Sequence, residues 1–183
     1  MTLERTPSQT VGPYFAIGMT WADGPFVVPD GTAGSFWIRG RLVDGAGDPV
    51  SDGLIETWQP DPAGRFFGVA EPADLIPGFR GYGRSKTDPG GRFEILTVKP
   101  GRVPGMDGLQ APYLALTVFA RGLGKPVLTR IYFADEPEAN AEDPILRDLD
   151  EPDRSTLIAS LADDGYAFDI RLQGARETVF FAI

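Results

Sequence analysis

Two apolar runs dominate the pattern of this chain, Tyr113-Leu114-Ala115-Leu116-Thr117-Val118-Phe119-Ala120 and Val127-Leu128-Thr129-Arg130-Ile131-Tyr132-Phe133. Both are short, rich in aromatic and β-branched residues, and bounded by Gly and Pro, which predicts central strands and not helices. A loop containing Pro100, Gly101, Pro104, Gly105 and Gly108 leads into the first of them. Upstream, Phe36-Trp37-Ile38-Arg39-Gly40-Arg41-Leu42-Val43 predicts a strand with Ile38, Gly40 and Leu42 on one face and the two arginines on the other. Further strands are expected at residues 54–59 and 92–98. Tyr166, Phe168, Ile170 and Leu172 alternate with polar or small residues, as in a half-buried strand. The only helices expected are short, at residues 144–149 and 153–161, the second with Leu157 and Leu161 one turn apart.

The stretches between are loops. Residues 18–34 and 71–83 are broken by Pro and Gly, the latter holding Leu75, Ile76, Phe79 and Tyr82, and residues 134–143 are acidic and polar. Asp44-Gly45-Ala46-Gly47-Asp48-Pro49 is turn chemistry, and it lacks the ligand spacing of a calcium loop. No internal repeat or linker is visible. One domain over residues 1–183, all-β, is the expectation.

Composition narrows the function. With 23 Gly and 17 Pro among 183 residues, many turns and few long helices are expected. A net charge of −9 argues against nucleic acid and anionic membranes, which need a basic face. No Cys excludes disulfides and thiolate chemistry, and with no leader or spanning run visible a cytoplasmic location is expected. The chain has no histidine at all. That removes Ser-His-Asp catalysis, His-bearing zinc sites and His-ligated iron in one step.

The order Pro/Gly loop, Ala111-Pro112, then strand resembles the metal-binding core of the intradiol ring-cleaving dioxygenases. So does Trp58-Gln59 followed by an acidic turn and Gly64-Arg65-Phe66. The resemblance implies an intradiol-dioxygenase-type β-sandwich with long Pro/Gly-rich loops and one or two short helices. That family has a Pro-Gly-x-Tyr-Pro loop, an Arg-Pro-x-His-Ile-His strand and a second tyrosine, and these bind ferric iron. Here Val103 and Phe66 stand at the tyrosine positions, and Leu114 and Leu116 at the histidine positions. None offers a ligand atom, so the resemblance implies no metal on this chain.

Thr6-Pro7-Ser8-Gln9-Thr10-Val11-Gly12-Pro13-Tyr14-Phe15 has the composition of an extended arm over residues 1–15, not a helix. It resembles the alpha subunits of the family's hetero-oligomeric members, as do the tail segments at residues 168–174 and 177–181. The resemblance implies that the arm reaches into an active site shared with a homologous beta subunit, with Thr10, Pro13 and Tyr14 lining the pocket. It also implies that Fe(III) sits on that beta subunit, in an assembly of several alpha-beta protomers. The implied reaction is cleavage of 3,4-dihydroxybenzoate by O2 to 3-carboxy-cis,cis-muconate in aromatic catabolism, with no catalytic residue in this chain alone. Arg130, charged within an apolar strand, matches the family's substrate-site arginine and would bind the ring carboxylate. The plainer reading of Arg130 is an edge-strand arginine paired with a surface carboxylate. The plainer reading of the whole chain is a non-catalytic homo-oligomeric binding or assembly protein on the same fold.

Overall fold

The computed structural model describes residues 7–10, 12 and 14–182. Its elements are α1 (Tyr14–Gly18), β1 (Ser35–Val43), β2 (Leu54–Trp58), β3 (Tyr82–Lys86), β4 (Arg92–Val98), β5 (Tyr113–Phe119) and β6 (Val127–Phe133). They continue with α2 (Pro137–Glu142), α3 (Pro144–Asp148), α4 (Glu151–Ser155), β7 (Ile158–Ala162), β8 (Gly165–Ala167) and β9 (Ile170–Arg171). Strands predominate and the helices are short, as an all-β chain should be. Among the described residues no helix is long and apolar enough to cross a membrane.

The strands form one nearly closed sheet in the order β3-β2-β5-β6-β7-β8-β1-β4, with β9 also on β1. The sheet folds back so that its two halves face each other across a core. Leu114, Leu116 and Val118 of β5, Ile131 and Phe133 of β6 and Ile55 of β2 pack there against Ile38 and Leu42 of β1 and Phe93 of β4. Burial alternates strictly along β5, which is the period-two pattern the sequence carries. The two ends of the sheet, β3 and β4, are joined by residues 23–28. The carbonyls of Gly24 and Pro25 accept from the backbone N–H of Arg84 (2.7 Å) and Leu96 (2.9 Å), and Val27 N–H donates to Leu96 C=O at 2.9 Å.

Five expectations need correction. Tyr14–Gly18 winds a short helix where an extended arm was expected, because no proline interrupts those residues. Residues 137–142, read as a polar connection, form α2, whose first turn opens on Pro137. The expected helix at residues 153–161 splits. Only α4 is helical, and from Ile158 the chain is strand β7, parallel to β6 and antiparallel to β8. Leu157 is buried while Leu161 is 64% exposed, so their spacing was not that of one apolar helix face. The half-buried strand near residue 170 is two short strands, both parallel to β1. In addition, β3 emerges from the end of what looked like loop 71–83.

One polar cluster ties β4, β6 and β8 together. Lys99, just past β4, donates to Asp135 at 2.6 Å and Glu136 at 3.2 Å, and its ammonium lies 5.2 and 5.4 Å from the ring centres of Phe133 and Tyr166. Tyr166 donates to Asp135 at 3.0 Å. Burial disfavours the charged form of Asp135, but the hydrogen bonds from Lys99 and Tyr166 outweigh it and hold the carboxyl below its ordinary value of 3.8. A depressed folded value stabilises above the ordinary value and is lost as pH falls through the folded one. Asp135→Asn should therefore lower the unfolding free energy at pH 7 by about 1–2 kcal/mol, a modest figure because the pair is partly solvated. In urea titrations the gap from wild type should shrink below pH 4. A gap that stays constant into acid would show that the carboxylate charge contributes nothing.

Candidate functional site

Arg130 lies on β6, which is flanked by β5 and β7 and is no edge. It pairs with Ala115, and Tyr113 pairs with Tyr132. By the two-residue period, Arg130 and Tyr132 project from the face opposite Thr129, Ile131 and Phe133, away from the core between the sheet halves and toward a second cluster that includes Ala111, Leu146 and Leu157. The guanidinium sits 3.8 Å from the ring centre of Tyr113 and 5.8 Å from that of Phe181. Its Nη1 donates to the Tyr132 hydroxyl at 3.2 Å. Among the described residues no carboxylate forms an ion pair with it.

The same face continues across the sheet. Trp58 of β2 pairs with Ala115 from the other side, so indole, methyl and guanidinium stand in one row. Neighbouring strands are about 4.8 Å apart, which places Trp58 and Arg130 roughly 10 Å from each other with only a methyl group between them. The ring of Phe66 stacks on Trp58 at 6.2 Å and 13°. An aromatic wall and a cation with no ion-pair partner among the described residues thus stand on either side of Ala115. Such a surface can take a flat molecule carrying an anionic group.

Behind Arg130 the polar contacts run inward. Tyr132 is buried, and its hydroxyl lies 3.3 Å from Asp143 Oδ1. Asp143 is itself fully buried and accepts from the backbone N–H of Ala111 (2.8 Å), Ile145 (2.9 Å) and Leu146 (3.1 Å), capping α3. Burial raises the Tyr132 phenol above its ordinary range; the nearby Arg130 opposes that rise and Asp143 adds to it. The phenol stays protonated. Sequence reasoning missed both residues. Asp143-Pro144 is a helix-start signature, but within an acidic stretch nothing marked this carboxylate as buried.

The other expected residues are elsewhere. Thr10 is exposed, and its Oγ1 accepts from Gly122 N–H at 2.9 Å in the turn between β5 and β6. Tyr14 opens α1 and is 80% exposed. Pro13 lies outside the described residues. No contact joins Thr10 or Tyr14 to Arg130 within the described chain. Of the four positions at which the family has iron ligands, Leu114 and Leu116 belong to the inner core. Val103 is buried, with its carbonyl accepting from Gln110 N–H at 2.9 Å, and Phe66 covers Trp58. Four hydrocarbon side chains do not fit a ferric ion. A cavity of about 850 Å³ lies apart from all of them, against β1, β3 and β4, lined by Trp21, Arg39, Arg41, Arg84, Lys86 and Arg92 among others. Ion pairs with Glu94, Asp164 and Glu56 already engage Arg39 and Arg84.

Comparison with known proteins identifies the family. Residues 10–174 match the family model described as Dioxygenase. The protocatechuate 3,4-dioxygenase alpha chain of Burkholderia cepacia is 40% identical over 200 aligned positions, covering 100% of this chain and 99% of that one. The beta chain of the same name and organism is 35% identical over 154 positions, covering 77% of this chain and 65% of the beta chain. The solved intradiol ring-cleavage dioxygenase of Tetranychus urticae shares the fold, with a TM-score of 0.59 at 18% identity over 97% of this chain and 98% of that one. The chain belongs to the intradiol dioxygenase family, in the group of the protocatechuate 3,4-dioxygenase alpha chains.

The packing of Leu114 is measurable. Leu114→Ala should cost about 2–4 kcal/mol in a urea titration, the range for a leucine removed from a well-filled core. A loss below about 1 kcal/mol would mean that the position can collapse and is not part of the close-packed interior.

Proposed function

We propose that this chain is the alpha subunit of a protocatechuate 3,4-dioxygenase, active only with a homologous beta chain. The observation that carries the reading is Arg130. A half-buried guanidinium, seated on Tyr113 and without a carboxylate partner among the described residues, is prepared for an anion from outside the chain. In this reading that anion is the ring carboxylate of 3,4-dihydroxybenzoate. Trp58, Ala115 and Phe66 form the flat ground beside it. Thr10, Pro13 and Tyr14 belong to the arm that contributes to the shared pocket, and the exposure of Thr10 and Tyr14 leaves them open to a partner. Residues 1–183 are taken as one domain, cytoplasmic, in an assembly of several alpha-beta protomers. Fe(III), held by the beta chain, would bind the diol and make it reactive toward O2. The product is 3-carboxy-cis,cis-muconate. The part left to the residues of this chain is to hold and align the carboxylate end. A purely structural homo-oligomer would leave Arg130, unpaired among the described residues, without a role.

Two measurements test this. The isolated chain, given ferric iron, should show no visible tyrosinate-to-iron band and no ring cleavage, because the four matching positions carry only apolar side chains. A stoichiometric coloured complex would overturn the assignment of iron to the partner.

In the assembled alpha-beta complex, Arg130→Ala should lower kcat/KM for protocatechuate by about 10- to 150-fold, the equivalent of roughly 1.5–3 kcal/mol for a charge-assisted hydrogen bond. Catechol, which lacks the carboxylate, should suffer far less, and iron content should not change. Equal losses for both substrates would place Arg130 in the structure and not in recognition.

A further inference from the structure

A guanidinium on a long flexible stem recognises a carboxylate well only when something fixes its orientation beforehand, since ordering it on binding costs conformational entropy. Two contacts fix Arg130. The ring of Tyr113 sets its plane at 3.8 Å, and the hydroxyl of Tyr132 accepts from one nitrogen at 3.2 Å. The direction of the remaining chain follows from valence. A guanidinium only donates, so the Tyr132 oxygen accepts from Arg130 and its single proton is free to go to Asp143 Oδ1 at 3.3 Å. Asp143 is in turn immobile, since three backbone N–H groups from Ala111, Ile145 and Leu146 converge on its carboxylate. Every link is buried except the last, the guanidinium itself.

This arrangement has a property that a direct ion pair would lack. A carboxylate bonded to Arg130 would orient it and also compete with any incoming anion. Here a neutral hydroxyl stands between the two charges. Orientation is supplied without neutralisation. We propose that Tyr132, backed by Asp143, is a positioning residue that sets the guanidinium of Arg130 for the substrate carboxylate. The inference rests on the reading of Arg130 as the carboxylate-binding group.

The test uses the assembled alpha-beta complex, with protocatechuate and catechol as paired substrates. Tyr132→Phe keeps the ring and its packing and removes only the hydroxyl. It should lower kcat/KM for protocatechuate by about 3- to 30-fold, mainly through KM, and leave catechol within about twofold. Asp143→Asn keeps the side-chain shape but weakens its hold on the hydroxyl, and should give a smaller loss in the same direction. Combined with Arg130→Ala, Tyr132→Phe should add almost nothing, because its effect passes through the guanidinium.

Losses of equal size on both substrates, or a full additional loss in the double variant, would overturn the positioning role and leave Tyr132 as core packing. If Arg130→Ala discriminates between the substrates and Tyr132→Phe does not, the positioning role falls alone. If Arg130→Ala does not discriminate either, the carboxylate reading of Arg130 fails and takes this inference with it.

Discussion

A carboxylate with no access to water is tolerable only if nearly all of its acceptor capacity is used, and Asp143 is such a group. Satisfying it fixes three parts of the molecule at once. Its bonds to Ile145 and Leu146 start α3, its bond to Ala111 sets the entry into β5, and the Tyr132 hydroxyl brings in β6. The helical excursion after β6 is therefore no decoration on the sheet. It carries back the acceptor that the β5–β6 pair needs at its base, and the placement of Arg130 follows from it.

The two faces of that strand pair have gone separate ways. On the inner face Leu114, Leu116, Ile131 and Phe133 are ordinary core, close-packed and free of polar atoms. On the outer face Tyr113, Ala115, Arg130 and, one strand over, Trp58 make a half-exposed surface of rings and charge. Because side chains alternate from one face to the other, replacing inward residues leaves the outward ones in place. Hydrocarbon fills the inner positions of β5 while the outer face keeps its rings and the Arg130 guanidinium.

Much of the fold was legible in the sequence. β5, β6, β1 and β4 declare themselves through short apolar runs between Gly and Pro, and their observed bounds lie within a residue of the pattern. What stayed hidden depends on partners distant in sequence. Residues 157–161 carry Leu157 and Leu161 at helical spacing, yet parallel pairing with β6 overrides that local signal. β3 is five residues with charged side chains, which looks like loop until β2 is beside it. Of the site, Arg130 was visible because charge is rare in such a strand. Trp58 and Tyr113 became neighbours of Arg130 only through register, and Asp143 looked like one more acid in an acidic segment.

The segment at residues 23–28 has a consequence for how this chain can meet other chains. A sheet's outermost strands normally offer unpaired backbone groups onto which a foreign strand can add, and natural proteins block this with cover or charge. Here one segment occupies backbone groups of β3 and of β4, and Arg84, Lys86, Arg92 and Glu94 place charge along both. Strand addition is thus hindered at both ends of the sheet. That leaves broad faces, loops and the N-terminal arm as the surfaces for a companion chain, where side chains decide which companion fits.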